Sequence, residues 1–497
     1  MTKIIPINSE TTKTSIFYIN DFHGKTINME RTVSASNCFD AKNKNRKDLD
    51  TLKLSSGDIM LGENITTNKI SVIFQNVIGV DASTLGNHEF DIQENAKYII
   101  PDIKYDVISS NIKINPENPL SKVVKSSVIE EKNGNKYGII GITPIDLFER
   151  SKQGIIQKDI SVDNPTQTLK DIQTEINKLK SKSINKIILL SHLGYTLDKI
   201  VATKTTGLDI IIGGHSHELV FDVKEGENLF YNKNGEPVVI TQAGRDGENF
   251  GILNLEFDKN GIIKKVQNNI GYTKDFRRNL CAKYLFDKIF GDNKTYGQIK
   301  FAPPKPNNEL IDKNPHAYFI ADCIRKDLNA DIVLLPSANL RGYFEQGEIN
   351  ARILNDIMPF KNKLYKVNYS EKDIVDAIKE GAKSFIHTAN KPGIFYCSGL
   401  KYKLSSNGDV LSLSYVHKNG KETPIDINNP DHNKYYQTII NDYCAQGNDK
   451  FTMLNKPDKI LAKYSFDASK CVINTLKKTS KPIEIKDDNR IEIIKSS

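Results

Sequence analysis

The sequence predicts a mixed α/β chain folded as two domains, and three observations carry that expectation. At 497 residues the chain exceeds the roughly 100–200 residues of one ordinary domain. From Ser15 to about Asp258, short β-branched runs alternate with longer polar and apolar stretches, as strands alternating with helices do. The proline cluster Phe301-Ala302-Pro303-Pro304-Lys305-Pro306 then breaks the pattern before a second stretch begins.

Residues 16–19, 107–110, 138–142, 186–190, 209–212 and Pro237–Thr241 read as strands. Residues 163–182 read as an amphipathic helix, because Leu169, Ile172, Ile176 and Leu179 recur at helical spacing. The turn Phe257-Asp258-Lys259-Asn260-Gly261 closes this unit. The expected boundaries are a first domain over 12–262, a linker over 263–306, a second domain over 307–476 and a charged tail over 477–497 that shows too little periodicity to assign structure.

Composition narrows the function classes. A 38% apolar and 26% charged chain can fill its cores and is not wholesale disordered. The net charge of +8 comes from scattered lysines with no basic block, which suits anionic small molecules and argues against a nucleic-acid polymer as partner. There is no apolar run of about 18 residues, so no membrane span is expected. Residues 1–10 turn polar before a leader segment could form. The chain as written therefore reads as cytoplasmic, with a periplasmic or secreted location as the alternative if a leader was removed. The six cysteines stand far apart with no C-x-x-C pair, and buried free thiols are expected.

Polar clusters at the ends of the apolar strands hold the chemistry. Asp21-Phe22-His23 follows residues 16–19, and a strand's period of two would put the carboxylate and the imidazole on one side. Ser56-Gly57-Asp58 follows residues 51–54, where glycine permits a tight turn before a carboxylate able to offer one oxygen to each of two cations. In Gly86-Asn87-His88-Glu89-Phe90-Asp91, Asn87 offers a neutral oxygen ligand unless it merely caps a helix. There His88 can point at a substrate while Asp91 fixes its tautomer. Ser191-His192 and Gly213-Gly214-His215-Ser216-His217 end two further strands. Of the nine histidines, five stand in these clusters. With Asp21, Asp58 and Asn87 they form a mixed nitrogen and oxygen donor set suited to zinc, manganese or iron.

This series resembles the calcineurin-like metallophosphoesterases. The phrases Ile19-Asn20-Asp21-Phe22-His23-Gly24 and Gly86-Asn87-His88-Glu89-Phe90-Asp91 look like their 5'-nucleotidase branch. The resemblance implies a four-layer sandwich of two mixed sheets flanked by helices, followed by a smaller α/β substrate-specificity domain. It implies two divalent ions per chain, zinc or manganese. Asp21, His23, Asp58 and His217 would hold one, while Asp58, Asn87, His192 and His215 hold the other. Some members carry glutamine where His217 stands. His88 and Asp91 would be the catalytic pair, assisting attack of a metal-activated water on the phosphorus of a nucleotide without a phosphoenzyme.

The second domain resembles the C-terminal domain of the same enzymes. By that likeness Arg341 contacts the substrate, Phe360 and Tyr443 sandwich the base, and Asp449 binds the ribose. The family commonly has a glycine pair before Ile-Arg, where this chain has Ser337-Ala338-Asn339-Leu340-Arg341. Its later Gly-Gly-Asp-Gly has become Gly447-Asn448-Asp449-Lys450. The expected function is removal of phosphate from nucleotides. Alternatives on the same scaffold are a 2',3'-cyclic nucleotide phosphodiesterase, a nucleotide-sugar hydrolase or a sulfur-ester hydrolase. A metal-bearing protein that binds nucleotide without turnover is the reading from another class.

Overall fold

A computed structural model describes residues 11–62, 64–92, 95, 100–147, 158–291, 294–308, 310–386 and 393–494. Residues 1–10, read above for a leader, lie outside them. The chain divides into two compact units, Met1–Gly291 and Asp292–Ser497.

Two sheets form the first unit. The larger runs in the order Ile263–Tyr272, Asn249–Phe257, Thr12–Ile19, Leu49–Ser55, Ala82–Thr84, Asp106–Ile108, Val124–Lys125. Its strands are parallel from Thr12–Ile19 onward, and Asn249–Phe257 lies antiparallel to Thr12–Ile19. The second sheet runs Leu229–Tyr231, Pro237–Thr241, Ile210–Ile212, Ile187–Ser191, Asn135–Ile142, Ser127–Lys132. Its inner strands are parallel and its two edges antiparallel.

Side-chain alternation along the strands builds the layers. Ile16 and Tyr18 join Ile139, Ile188 and Ile210 in a core shared by the two sheets. Phe17 and Ile19, one position out of phase, pack instead with Met29 and Val33 of the helix Thr26–Asn43 and with Phe74 of Ile65–Ile78. On the other sheet, Leu189 and Ile211 meet Ile172, Ile176 and Leu179 of the helix Pro165–Ser181. The result is the expected four-layer sandwich of mixed α/β class. Where strands are covered on both faces, as over residues 16–19 and 187–190, they carry apolar residues at consecutive positions and read as continuous apolar runs. Each such side chain contributes about 1.5–3 kcal/mol by leaving water. The helix Pro165–Ser181 starts where the residues dictate: Asn164 accepts the Gln167 N–H, and Pro165 takes the first-turn position that needs no N–H donor.

Much of the stretch 263–306 lies in regular structure. Ile263–Tyr272 is a sheet strand whose Val266 and Ile270 pack on the shared core, so its alternation is that of a half-covered strand. The helix Leu280–Phe290, capped by Asn279, docks Ala282 and Phe286 against Met29 and Phe74. Gly297–Phe301 belongs to a three-stranded sheet of the second unit.

The second unit centres on a five-stranded sheet in the order Phe395–Ser398, Ile332–Pro336, Tyr435–Asn441, Leu364–Ser370, Ile460–Lys463. A four-stranded sheet ends in Ile491–Ile494, which runs parallel to Leu400–Ser405. Within the tail, Ile483–Glu484 and Ile491–Ile494 are therefore strands. Its anchor is Arg490, whose guanidinium meets both Asp322 oxygens at 2.7 and 2.8 Å, next to the buried Ile491.

All six cysteines are free thiols, but Cys38 and Cys281 are exposed where burial was expected. Cys281 lies on the helix Leu280–Phe290, whose buried residues are Ala282, Phe286 and Asp287. No helix among the described residues is long and apolar enough to cross a membrane.

Candidate metal centre

Parallel pairing carries the polar clusters to one edge of each sheet. Ile19 lies beside Ser55, Ser55 beside Ser83, and Leu190 beside Ile212, so the segments after these residues emerge together. Ser56 Oγ donates to Ile212 O at 2.6 Å and ties the two sheet ends. Side chains beyond the carboxyl ends of parallel strands are where open α/β sheets place their ligands.

Asp21 and His23 are brought together by a turn and not by strand alternation. The strand stops at Ile19. Beyond it Asp21 N donates to Gly57 O at 2.9 Å, His23 N to Asp58 O at 3.0 Å and Gly24 N to Ile59 O at 2.9 Å. Five of the seven expected ligands, Asp21, His23, Asp58, His215 and His217, have positive φ, from 48° to 75°. Left-handed backbone in non-glycine residues costs energy, and such residues cluster where the surrounding structure fixes side chains for function. Glycine supplies the clearance: a Cβ on Gly86 would stand 2.1 Å from Asp58 Oδ1, and one on Gly214 would stand 2.7 Å from His192 Nδ1.

All seven expected ligands converge. His23 Nε2 lies 3.8 Å from Asp21 Oδ1 and 3.7 Å from Asp58 Oδ2. His192 Nε2 lies 3.1 Å from Asp58 Oδ2 and 3.8 Å from Asp21 Oδ1. His217 Nε2 is 3.5 Å from Asp21 Oδ1, and His215 Nδ1 is 3.0 Å from Asn87 Oδ1. Asn87 makes no capping hydrogen bond, so the helix-cap reading is not the one realised. Asp58 stands between the imidazoles of His23 and His192. Its Oδ1 accepts the His88 N–H at 2.8 Å, and its Oδ2 faces both imidazoles.

The donor set fits divalent cations. His23 Nε2 and His192 Nε2 are buried without a hydrogen-bond partner, 3.7 and 3.1 Å from Asp58 Oδ2. Buried polar atoms in folded proteins are otherwise paired, and an ion satisfies these. Asp21, His23 and His217 form one group of donor atoms within 4.8 Å of one another, and Asp58, His192 and His215 form a second. Charge follows the same logic. Burial raises the Asp58 carboxyl, but His192 and His88 outweigh it and hold it well below the usual range. Burial lowers His192, but Asp58 and Asp21 outweigh it and push the ring up to about 10.

His88 lies at the rim, partly exposed, with Nδ1 2.9 Å from Asp91 Oδ2. Burial lowers its pKa, while Asp58 and Asp91 more than offset this and raise it above the ordinary imidazole value. Asp91 is itself fixed by the Gly62 N–H at 2.6 Å.

Three supporting carboxylates escaped the sequence reading. Glu89 accepts backbone N–H groups from Gly86, Asp58, Ile59 and Met60 at 2.7, 2.9, 2.9 and 3.3 Å, clamping two ligand loops together. Asp246 lies 3.0 Å from His23 Nδ1, and Asp146 lies 3.3 Å from His215 Nε2. Asp246 stands in Gly244-Arg245-Asp246-Gly247 after the strand Pro237–Thr241, the same grammar of strand, glycine and acid as Asp58.

In the second unit the Arg341 guanidinium lies over the Phe360 ring, 5.5 Å from its centroid. Tyr443 is 45% exposed, and its hydroxyl is 3.5 Å from Asp449 Oδ1. The segment Ser337–Asn339 is a short 3-10 turn, and Asp449 has a φ of 52°.

A layered α/β sandwich whose strand ends gather carboxylates and imidazoles around a shared aspartate is the architecture of metal-dependent phosphoesterases. The family model for calcineurin-like phosphoesterase matches residues 14–219, and that for the 5'-nucleotidase C-terminal domain matches residues 297–456. The chain belongs to the calcineurin-like phosphoesterases that carry a 5'-nucleotidase C-terminal domain. The trifunctional nucleotide phosphoesterase protein YfkN of Bacillus subtilis is 24% identical over an alignment of 494 positions that covers 89% of this chain and 32% of that protein. This chain thus spans about a third of that relative's length. The "Probable 5'-nucleotidase" of Treponema pallidum is 24% identical over an alignment of 488 positions that covers 82% of this chain and 79% of that protein. Among solved structures, a 5'-nucleotidase precursor from Thermus thermophilus shares the fold with a TM-score of 0.69 at 22% identity, covering 97% of this chain and 99% of that one.

Proposed function

We propose that the protein is a dinuclear metal-dependent hydrolase that removes phosphate from nucleotides. The observation that carries this reading is the pair of buried, unpartnered nitrogens, His23 Nε2 and His192 Nε2, on either side of Asp58 Oδ2. Asp21, His23, Asp58 and His217 hold one cation, and Asp58, Asn87, His192 and His215 the other. Zinc or manganese suits this nitrogen-rich set. When bound, the cations supply Lewis acidity that draws charge from phosphoryl oxygens and acidifies a water.

The chain's own groups do the rest. His88 donates a proton to the leaving oxygen, or a hydrogen bond to the charge developing there, with its ring held by Asp91. Arg341, Phe360, Tyr443 and Asp449 receive the nucleoside part of the substrate. The Ala338-Asn339 sequence before Leu340-Arg341, where relatives of this type carry glycines, supports contacts of its own to that part. A substrate panel with several added metals tests the proposal. Release of phosphate from nucleoside monophosphates above cyclic nucleotides, nucleotide sugars, sulfur esters and simple esters is expected. Preference for one of those others would shift the reading to another hydrolase on this scaffold, and metal-loaded protein inert to all of them would leave only nucleotide binding.

A further inference from the structure

Asp246 lies outside every motif of the sequence, yet it touches two of the expected ligands and the helix Thr26–Asn43 beside them. Its Oδ1 lies 3.0 Å from His23 Nδ1, its N–H donates to Asp21 O at 2.6 Å, and its carbonyl accepts Asn28 Nδ2 at 2.8 Å. It has a φ of 57°, a left-handed conformation costly for an aspartate unless the neighbours hold it. The charged groups around its carboxylate are His23, Lys25 and Arg245, the last with Nε 3.5 Å from Oδ2.

We infer that Asp246 is a positioning residue that holds His23 in its metal-binding orientation and so strengthens one of the two cation sites selectively. The inference rests on the two-cation reading above and goes beyond it by making the sites unequal. An ionised carboxylate opposite Nδ1 requires a proton on that nitrogen, which leaves the Nε2 lone pair free. Nε2 is the atom that is buried without a partner and faces Asp21 and Asp58. A carboxylate behind a ligating imidazole also raises its basicity, and loss of such a partner typically costs 10–100-fold in metal affinity.

The other ligand set is supported differently. His192 Nδ1 is opposite the backbone carbonyl of Ser56, a neutral dipole. His215 has Asp146 behind it at 3.3 Å, a longer contact on a more exposed carboxylate. Asp246 has 18% side-chain exposure against 26% for Asp146, so its charge is the less screened by water.

The test uses the full chain, stripped with chelator and titrated with Zn²⁺ or Mn²⁺ against a chromogenic competitor, with bound metal counted by elemental analysis. Wild type should take two ions per chain. Asp246→Ala should weaken one binding step by about 10–100-fold and leave the other unchanged. Asp246→Asn, which keeps an acceptor oxygen but loses the charge, should fall between. Wild type taking fewer than two ions would overturn the two-cation reading and this inference with it. Wild type taking two while Asp246→Ala retains both affinities would overturn the inference alone. Equal weakening of both steps, with a lower melting temperature of the metal-free variant, would overturn it too by making Asp246 a general brace.

Discussion

Asp58 Oδ2 lies 3.1 Å from His192 Nε2, a ring nitrogen buried with no hydrogen-bond partner. The same oxygen lies 3.7 Å from His23 Nε2. One carboxylate oxygen thus stands between the two ligand sets, and an amide in its place would carry no charge for either ion. Asp58→Asn is predicted to bind fewer than two ions per chain and to lose hydrolysis. Two tightly held ions with normal activity in that variant would remove Asp58 from the bridging position.

His88 should serve the reaction and not metal retention. Its Nδ1 is engaged with Asp91 and its backbone N–H with Asp58, while Asn87 supplies the oxygen next to His215. Its ring does come within reach of the His23 and Asp58 donors, so the distinction is a real one to measure. His88→Ala is expected to keep its metal and lose roughly 10²–10⁴-fold in kcat. Metal lost together with the side chain would make His88 a ligand.

Glu89 should be a structural clamp. Its carboxylate is the shared acceptor for four backbone N–H groups on two loops. Leaving such donors unpaired costs about 1–3 kcal/mol each, less what water recovers. Denaturant unfolding of metal-free Glu89→Ala should show a loss of about 2–4 kcal/mol. A loss confined to activity would point to a direct role in the chemistry instead.

The ligands were legible because the sandwich buries its strands on both faces, so each polar cluster stands out against an apolar run. Their geometry was not. Strand alternation predicts one side for Asp21 and His23, but both have left-handed backbone and donate their N–H groups to Gly57 and Asp58, a pairing between segments far apart in sequence. Asp246 stayed hidden because a lone acid in a glycine turn is ordinary until its partner 223 residues away is known. The strand Ile491–Ile494 was hidden for another reason: four residues give no readable period, and its docking depends on the distant Asp322. Residues 263–306 read as a connector because mixed charge on a half-covered strand looks like one.

Asp198 carries a pH dependence with a definite sign. It is buried, accepts the Ser191 hydroxyl at 2.5 Å, and has its other oxygen unpartnered. Burial, only partly offset by Ser191 and His192, pushes its carboxyl up to about 7. The folded chain thus keeps a proton that the unfolded chain releases near pH 4. Stability from this group is full below about pH 4, falls as pH rises to about 7, and is level above, at up to about 1.4 kcal/mol per unit. Asp198→Asn should therefore gain about 1–3 kcal/mol relative to wild type between pH 5 and pH 7, read by denaturant unfolding of metal-free protein at both values. A difference that does not change with pH would mean that Asp198 is ionised throughout.

Phe360 and Tyr443 stand in sequence near one end of a strand pair in the second unit. Leu364–Ser370 runs antiparallel to Tyr435–Asn441 with Leu364 opposite Asn441, and Asp442 N donates to Lys363 O at 2.8 Å. One ring stands a few residues before this junction and the other just after it. Core packing is the commoner fate of an aromatic side chain, but Tyr443 is 45% exposed and Phe360 is only partly buried. Arg341 lies over the Phe360 ring, a cation-π contact on one face of it. Stacking a base on such a ring is worth about 1–3 kcal/mol, and about 1.4 kcal/mol is a factor of ten in binding. Phe360→Ala should raise KM for a nucleoside monophosphate about 10-fold or more, with a smaller change in kcat. Hydrolysis of a small aryl phosphate, which has no base to stack, should change much less. Equal losses on both substrates, joined by a lower melting temperature, would show that Phe360 serves packing, and the nucleotide reading would then depend on the metal centre and the family alone.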